Sequence, residues 1–83
     1  MRAEDLLPDG QNQIDLAGTT VRKGTVGAFL VNARTWLDPQ ADAAQRLQAA
    51  TDMQDALPAL AALGLFEVLE VRDPTLRQWL AAR

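Results

Sequence analysis

The hydrophobic period of this chain changes once, at Gly24, and that change constrains the fold more than any other feature. Upstream, in the stretch QIDLAGTTVR, Ile14 and Leu16 alternate with polar residues, and Thr19–Val21 is rich in β-branched side chains. Strict alternation puts successive side chains on opposite faces, which is strand behaviour. Ala17-Gly18 fits the two-residue turn of a hairpin over residues 13–23, with Ile14 facing Val21 and Asp15 near Arg22 on the other face. Downstream, Val26, Phe29, Leu30, Ala33, Trp36 and Leu37 recur at helical spacing. Thr25 is a natural N-cap for that helix.

The helix is unusual on its other side. Gly27, Ala28 and Val31 lie there, with only Asn32, Arg34 and Thr35 polar. A helix apolar nearly all round is buried nearly all round. It is therefore either the central helix of the domain or a helix covered by a second subunit.

The remainder reads as further helices and one more strand. Asp38 and Pro39 supply a cap and a first helical residue for a second helix running to about Leu57, rich in Ala and Gln and expected to lie on the surface. Pro58 either kinks that helix or opens a new short one capped by Asp55, and the quality of Asp as a cap favours the second. Leu57, Leu60 and Leu63 then face inward, with Gly64 as a left-handed C-terminal residue. FEVLEV, 66–71, reads as a strand. Asp73 and Pro74 open a C-terminal helix with Leu76, Trp79 and Leu80 on one side. The expected fold is α+β: a β-hairpin, two or three helices, a third short strand and a final helix, with a small sheet packed by helices. Residues 1–12 form a loosely ordered leader with turn chemistry at PDGQN, and 13–83 form a single domain.

With 83 residues the chain makes one domain whose core yields only about 3–5 kcal/mol. Domains this small usually add disulfides, a metal or a partner chain. There is no Cys and no His, which removes disulfides, thiolate and imidazole metal sites, and imidazole acid–base chemistry. No D-x-D-x-D-G loop is present, so no metal and no cofactor is expected. A partner chain is the remaining device, and a homodimer is the favoured form. The net charge of −3 argues against a nucleic-acid partner. The acidic N-terminal stretch does not read as a signal peptide, and no apolar run approaches membrane-spanning length. The default expectation is a cytoplasmic protein, and compactness with Ala richness points to a bacterial one.

One string resembles a phosphate loop with its letters exchanged: Gly18, Lys23, Gly24 and Thr25 spell G-x-x-x-x-K-G-T where the motif requires G-x-x-x-x-G-K-[ST]. The exchange moves the Lys off the position from which it bends over a phosphate. A simpler anion site at Arg22, Lys23, Gly24 and Thr25 is the weaker expectation, because a helix start attracts anions. Against it, neighbouring strand residues point to opposite faces, so only one of the two cations readily reaches the helix end. For acid–base work the free carboxylates Glu67 and Glu70 fall on opposite faces of the expected strand, and Asp38, Asp55 and Asp73 are taken up as helix caps. With Ser, Cys, His and Tyr all missing, no nucleophile–base pair can be named, and the chain does not read as an enzyme. Trp36 and Trp79 continue apolar stripes and read as core or interface residues rather than stacking platforms.

KGTVGAFLVN, residues 23–32, and LPALAALGLFEV, residues 57–68, together resemble a family of short uncharacterised bacterial proteins. In these a hairpin leads into G-T-V-G-A-x-L-x-N and an L-P-x-L-x-x-x-G-L-F segment follows. The resemblance covers about residues 14–69 and implies no activity, cofactor or binding residue. Family members favour Asp-Gly or Asn-Gly where this chain has Ala17-Gly18, which leaves the turn type open. Gly27 and Asn32 match the family pattern, and an ordinary core demands neither: Gly27 permits close backbone approach, and Asn32 in an apolar helix needs a hydrogen-bond partner. The reading these features favour is a non-catalytic, self-associating interaction domain that meets its partner through the first long helix, at Gly27, Ala28 and Val31, and through the hairpin edge. The alternative is a module binding a small anionic or phosphate ligand at Gly24-Thr25.

Overall fold

In the computed structural model, which describes residues 1–83, the alternating stretch forms the expected hairpin of β1 (Gln13–Leu16) and β2 (Thr19–Arg22). Ile14 pairs with Val21, and Asp15 with Thr20. Ala17 and Gly18 both take positive φ, 50° and 83°, the pattern of a type I′ turn. Gly18 adopts this freely. Ala17 is the one non-glycine residue of the chain there, at a cost of about 1 kcal/mol. Ahead of the hairpin, Ala3–Leu6 form a short helix, α1. Its following residue, Leu7, is buried, and with Ile14, Val21, Val26 and Leu63 it lines a cavity of about 260 Å³.

The first long helix, α2, spans Thr25–Leu37. Gly24, not Thr25, is its N-cap, because the Thr25 hydroxyl is turned back to accept the Arg22 amide at 3.2 Å. The helix stops at Leu37 because Asp38 precedes Pro39. The proline ring drives Asp38 out of the helical region, to φ −79°, ψ 114°. The next helix nevertheless does not begin at Asp38-Pro39. The Asp38 carboxylate instead accepts the Gln40 amide at 2.8 Å and folds a local turn. The true cap is Asp42, which accepts the Gln45 amide at 2.7 Å while the Gln45 side chain accepts the Asp42 amide at 3.1 Å.

That helix, α3, runs unbroken from Ala43 to Leu63 through Pro58, so no new helix starts at Asp55. Pro58 itself is exposed, and the lost bond on the solvent side costs about 3 kcal/mol. Buried anchors on both sides hold the register across it: Ala49 and Met53 before, Ala59 and Leu60 after. Gly64, at φ 78°, ends α3 with its amide shared between the carbonyls of Leu60 and Ala61.

The expected strand over 66–71 does not form. Once Gly64 has reversed the chain, Leu65–Val68 wind into a short helix, α4. Leu69 beyond it is extended, but no strand follows, since the sheet contains β1 and β2 alone. β-propensity expresses itself only where a pairing edge is within reach. The chain closes with α5 (Pro74–Ala81), where the Asp73 carboxylate accepts the Leu76 amide at 2.9 Å, as the sequence leads one to expect.

The fold remains α+β, with one hairpin against a largely helical body. α2 and α3 lie antiparallel: the start of α2 borders Asp52, Asp55 and Ala59, and its end borders Gln45 and Gln48. Their contact holds the core of Phe29, Ala33, Met53 and Leu60, closed by Leu76 of α5. β2 packs on α3. Phe66 meets Phe29 edge-on at 6.1 Å, and Trp36 meets Trp79 at 5.8 Å, which ties α4 and α5 to α2. No helix is long and apolar enough to cross a membrane.

Candidate functional site

The sequence-derived site residues separate into two places. Arg22, Gly24 and Thr25 border a groove of about 550 Å³ between the start of α2 and the middle of α3. Lys23 is turned away from it: its ammonium donates to the Asp9 carbonyl at 3.1 Å and lies 4.0 Å from the Asp9 carboxylate. Arg22 stands opposite Gln13 in the ladder, and no Arg22–Asp15 ion pair forms. The groove also receives Asp52 and Asp55, one turn apart on α3, together with Asn32. Its floor is apolar, supplied by Phe29, Ala56 and Ala59. Two carboxylates facing one guanidinium give it an acidic balance, which disfavours a free anion. The carboxylates Glu67 and Glu70 lie apart, Glu67 in α4 and Glu70 paired with Arg77 at 3.6 Å.

The second place is the outer face of α2. Gly27, Ala28 and Val31 are all exposed. Val31 is 62 % exposed and Leu30 53 %. Leu30 belongs to this face although its spacing from Val26 and Phe29 places it inward. One residue turns the helix by about 100°, so the core, centred on Phe29 and Ala33, leaves Leu30 at the margin of the buried sector. Gly27, Leu30, Val31 and Arg34 then form one stripe at i, i+3, i+4 and i+7. The signal that finds Leu30 and Arg34 is the direction of the core, and two bulky residues at full helical spacing, Phe29 and Trp36, define it better than the whole apolar set. Asn32 is half-buried between the two sites, on the side facing Asp52.

Around this stripe the molecule is open. Nine of its 83 residues are buried. Its accessible surface is 6032 Å², against about 4,900 Å² for a compact monomer of 9.0 kDa. Its radius of gyration of 13.8 Å exceeds the ~12 Å of a compact chain of this length. Further large apolar side chains stand in solvent at Val68 and Leu69, beside an apolar groove of about 440 Å³ between α3, α4 and α5. No group of acidic side chains is gathered closely enough to hold a metal ion.

No family model, no curated protein and no solved structure matches this chain. The functional reading therefore rests on the geometry of these surfaces.

Proposed function

We propose that this is a non-catalytic interaction domain that associates with a second copy of itself through the outer face of α2. The observation that carries the reading is the exposure of Leu30 and Val31, side by side, in the middle of the helix that also builds the core. Apolar area kept in water by a small chain is the usual mark of a contact surface. The surface in excess of a compact monomer, about 1,100 Å² over the whole molecule, is consistent with a face left for a partner.

The test is light scattering or sedimentation at two widely separated concentrations. The wild-type chain should gain mass with concentration, and Val31→Glu should remain monomeric with its helices intact. Phe29→Glu, which buries a charge in the core, should unfold the chain. A wild-type protein that stays monomeric at the highest concentration overturns the proposal. The anion-binding alternative draws less support, because Asp52 and Asp55 share the groove with Arg22 while Lys23 turns to Asp9. Stabilisation by phosphate that is lost in Arg22→Ala would reinstate it.

A further inference from the structure

Resting on that reading, we infer that the two copies pair α2 against α2 in antiparallel, about a two-fold axis passing between Leu30 and Val31. The stripe Gly27, Leu30, Val31, Arg34 is self-complementary in this arrangement. Leu30 meets the partner's Val31, and Arg34 lies across the partner's Gly27. A long side chain therefore faces a notch at each end of an apolar centre. Gly27 has no explanation inside the chain. A Cβ built there meets nothing within 4 Å, and its φ is not in the left-handed region. A glycine inside an exposed helix weakens that helix, so its absent side chain calls for something approaching from outside.

The ends of the helix select the direction. The axis lies at the midpoint of α2, so the two helices overlap along their full length, about 20 Å for 13 residues. Lys23 precedes the helix and Asp38 caps its end. Antiparallel pairing sets the Lys23 end of one helix beside the Asp38 end of the partner twice, one oxygen of that carboxylate being held by the Gln40 amide, and the opposed helix dipoles attract. Parallel pairing sets lysine against lysine and aspartate against aspartate. Lys23 at present donates to the Asp9 carbonyl at 3.1 Å and lies 4.0 Å from the Asp9 carboxylate, and both are exposed contacts of small net worth that a partner's carboxylate can replace.

The chain contains no Cys, so single cysteines report the geometry without background. A disulfide needs Cα atoms within about 7 Å. Under mild oxidation, Leu30→Cys and Val31→Cys should each form covalent dimer as the main product. Gly27→Cys and Arg34→Cys, whose copies sit on opposite sides of the axis about 10 Å apart along the helix, should stay monomeric alone and cross-link when mixed. All four positions are exposed, so the variants fold. If the wild-type chain self-associates but Gly27→Cys and Arg34→Cys each cross-link to themselves, the pairing is parallel and the inference is overturned. If it self-associates and none of the four cross-links, another surface carries the contact and the inference is again overturned, with the self-association reading intact. A wild-type chain that never self-associates removes both.

Discussion

Of the 13 residues of α2, Phe29 and Ala33 are buried. Of the 21 in α3, Ala49, Met53, Ala59 and Leu60 are, and Met53 and Leu60 are fully enclosed. Yet α2 carries the larger density of bulky apolar side chains, and α3 is mostly Ala, Gln and Asp. Placement is what separates them. In α3 the few large residues and several alanines fall in one line, 49, 53, 56, 60, and neighbours reach that line from three directions: α2, β2 and α4. In α2 the apolar residues surround the helix, while α3 and α5 cover one side only. Small side chains let helices approach closely, so an Ala-rich face is a good core face. An apolar helix in a chain this short has more surface than its neighbours can cover.

The strongest test of the contrast applies one substitution to both helices. Leu60→Ala should lose about 3 kcal/mol of stability, because it empties a fully enclosed site at the centre of the core. Urea unfolding measures it, and a loss below about 1 kcal/mol would show that α3 is not the keystone of the packing. The second test concerns continuity. Pro58→Ala should stabilise the chain by about 2 kcal/mol, since it restores a helical bond on the exposed side and gives up only a modest restriction of the unfolded chain. A loss of stability there would mean that α3 depends on its proline.

Smaller effects belong to α2. Leu30→Ala, the counterpart of Leu60→Ala, should cost no more than about 1 kcal/mol in dilute solution, where a half-exposed side chain has little packing to lose. A larger cost would place Leu30 in the core after all. Smallest of all, Gly27→Ala should raise the stability of the dilute chain by about 0.5–1 kcal/mol and at the same time weaken self-association. Opposite signs in calorimetry and sedimentation would sharpen the contrast between a helix shaped for its own core and one shaped for a neighbour.

The hairpin was legible in the sequence down to its register, because alternation and the Ala17-Gly18 turn leave one pairing that puts partly buried Ile14 opposite buried Val21. The α2 stripe and the Asp73-Pro74 start were legible too, each marked by local chemistry. Three features were hidden because they depend on competition. Asp38 and Asp42 both look like caps, and the reciprocal pair of hydrogen bonds between Asp42 and Gln45 decides between them. Pro58 looks like a break until the line of buried residues across it is counted against its cost. FEVLEV looks like a strand, but no local property reveals that the sheet has no free partner for it. The exposed face of α2 was half legible: Gly27, Ala28 and Val31 could be placed by spacing, whereas Leu30 and Arg34 needed the direction of the core.

Both tryptophans of the chain occupy one spot. Trp36 and Trp79 sit 5.8 Å apart at 53°, and the Arg83 guanidinium lies 4.1 Å from the Trp79 ring. All tryptophan emission of this protein therefore originates where α5 docks on α2. Two indoles so close couple excitonically, and a cation over one of them perturbs its excited state. Fluorescence will register the undocking of the C-terminal helix sensitively, and will be insensitive to changes confined to the hairpin and the residues before it.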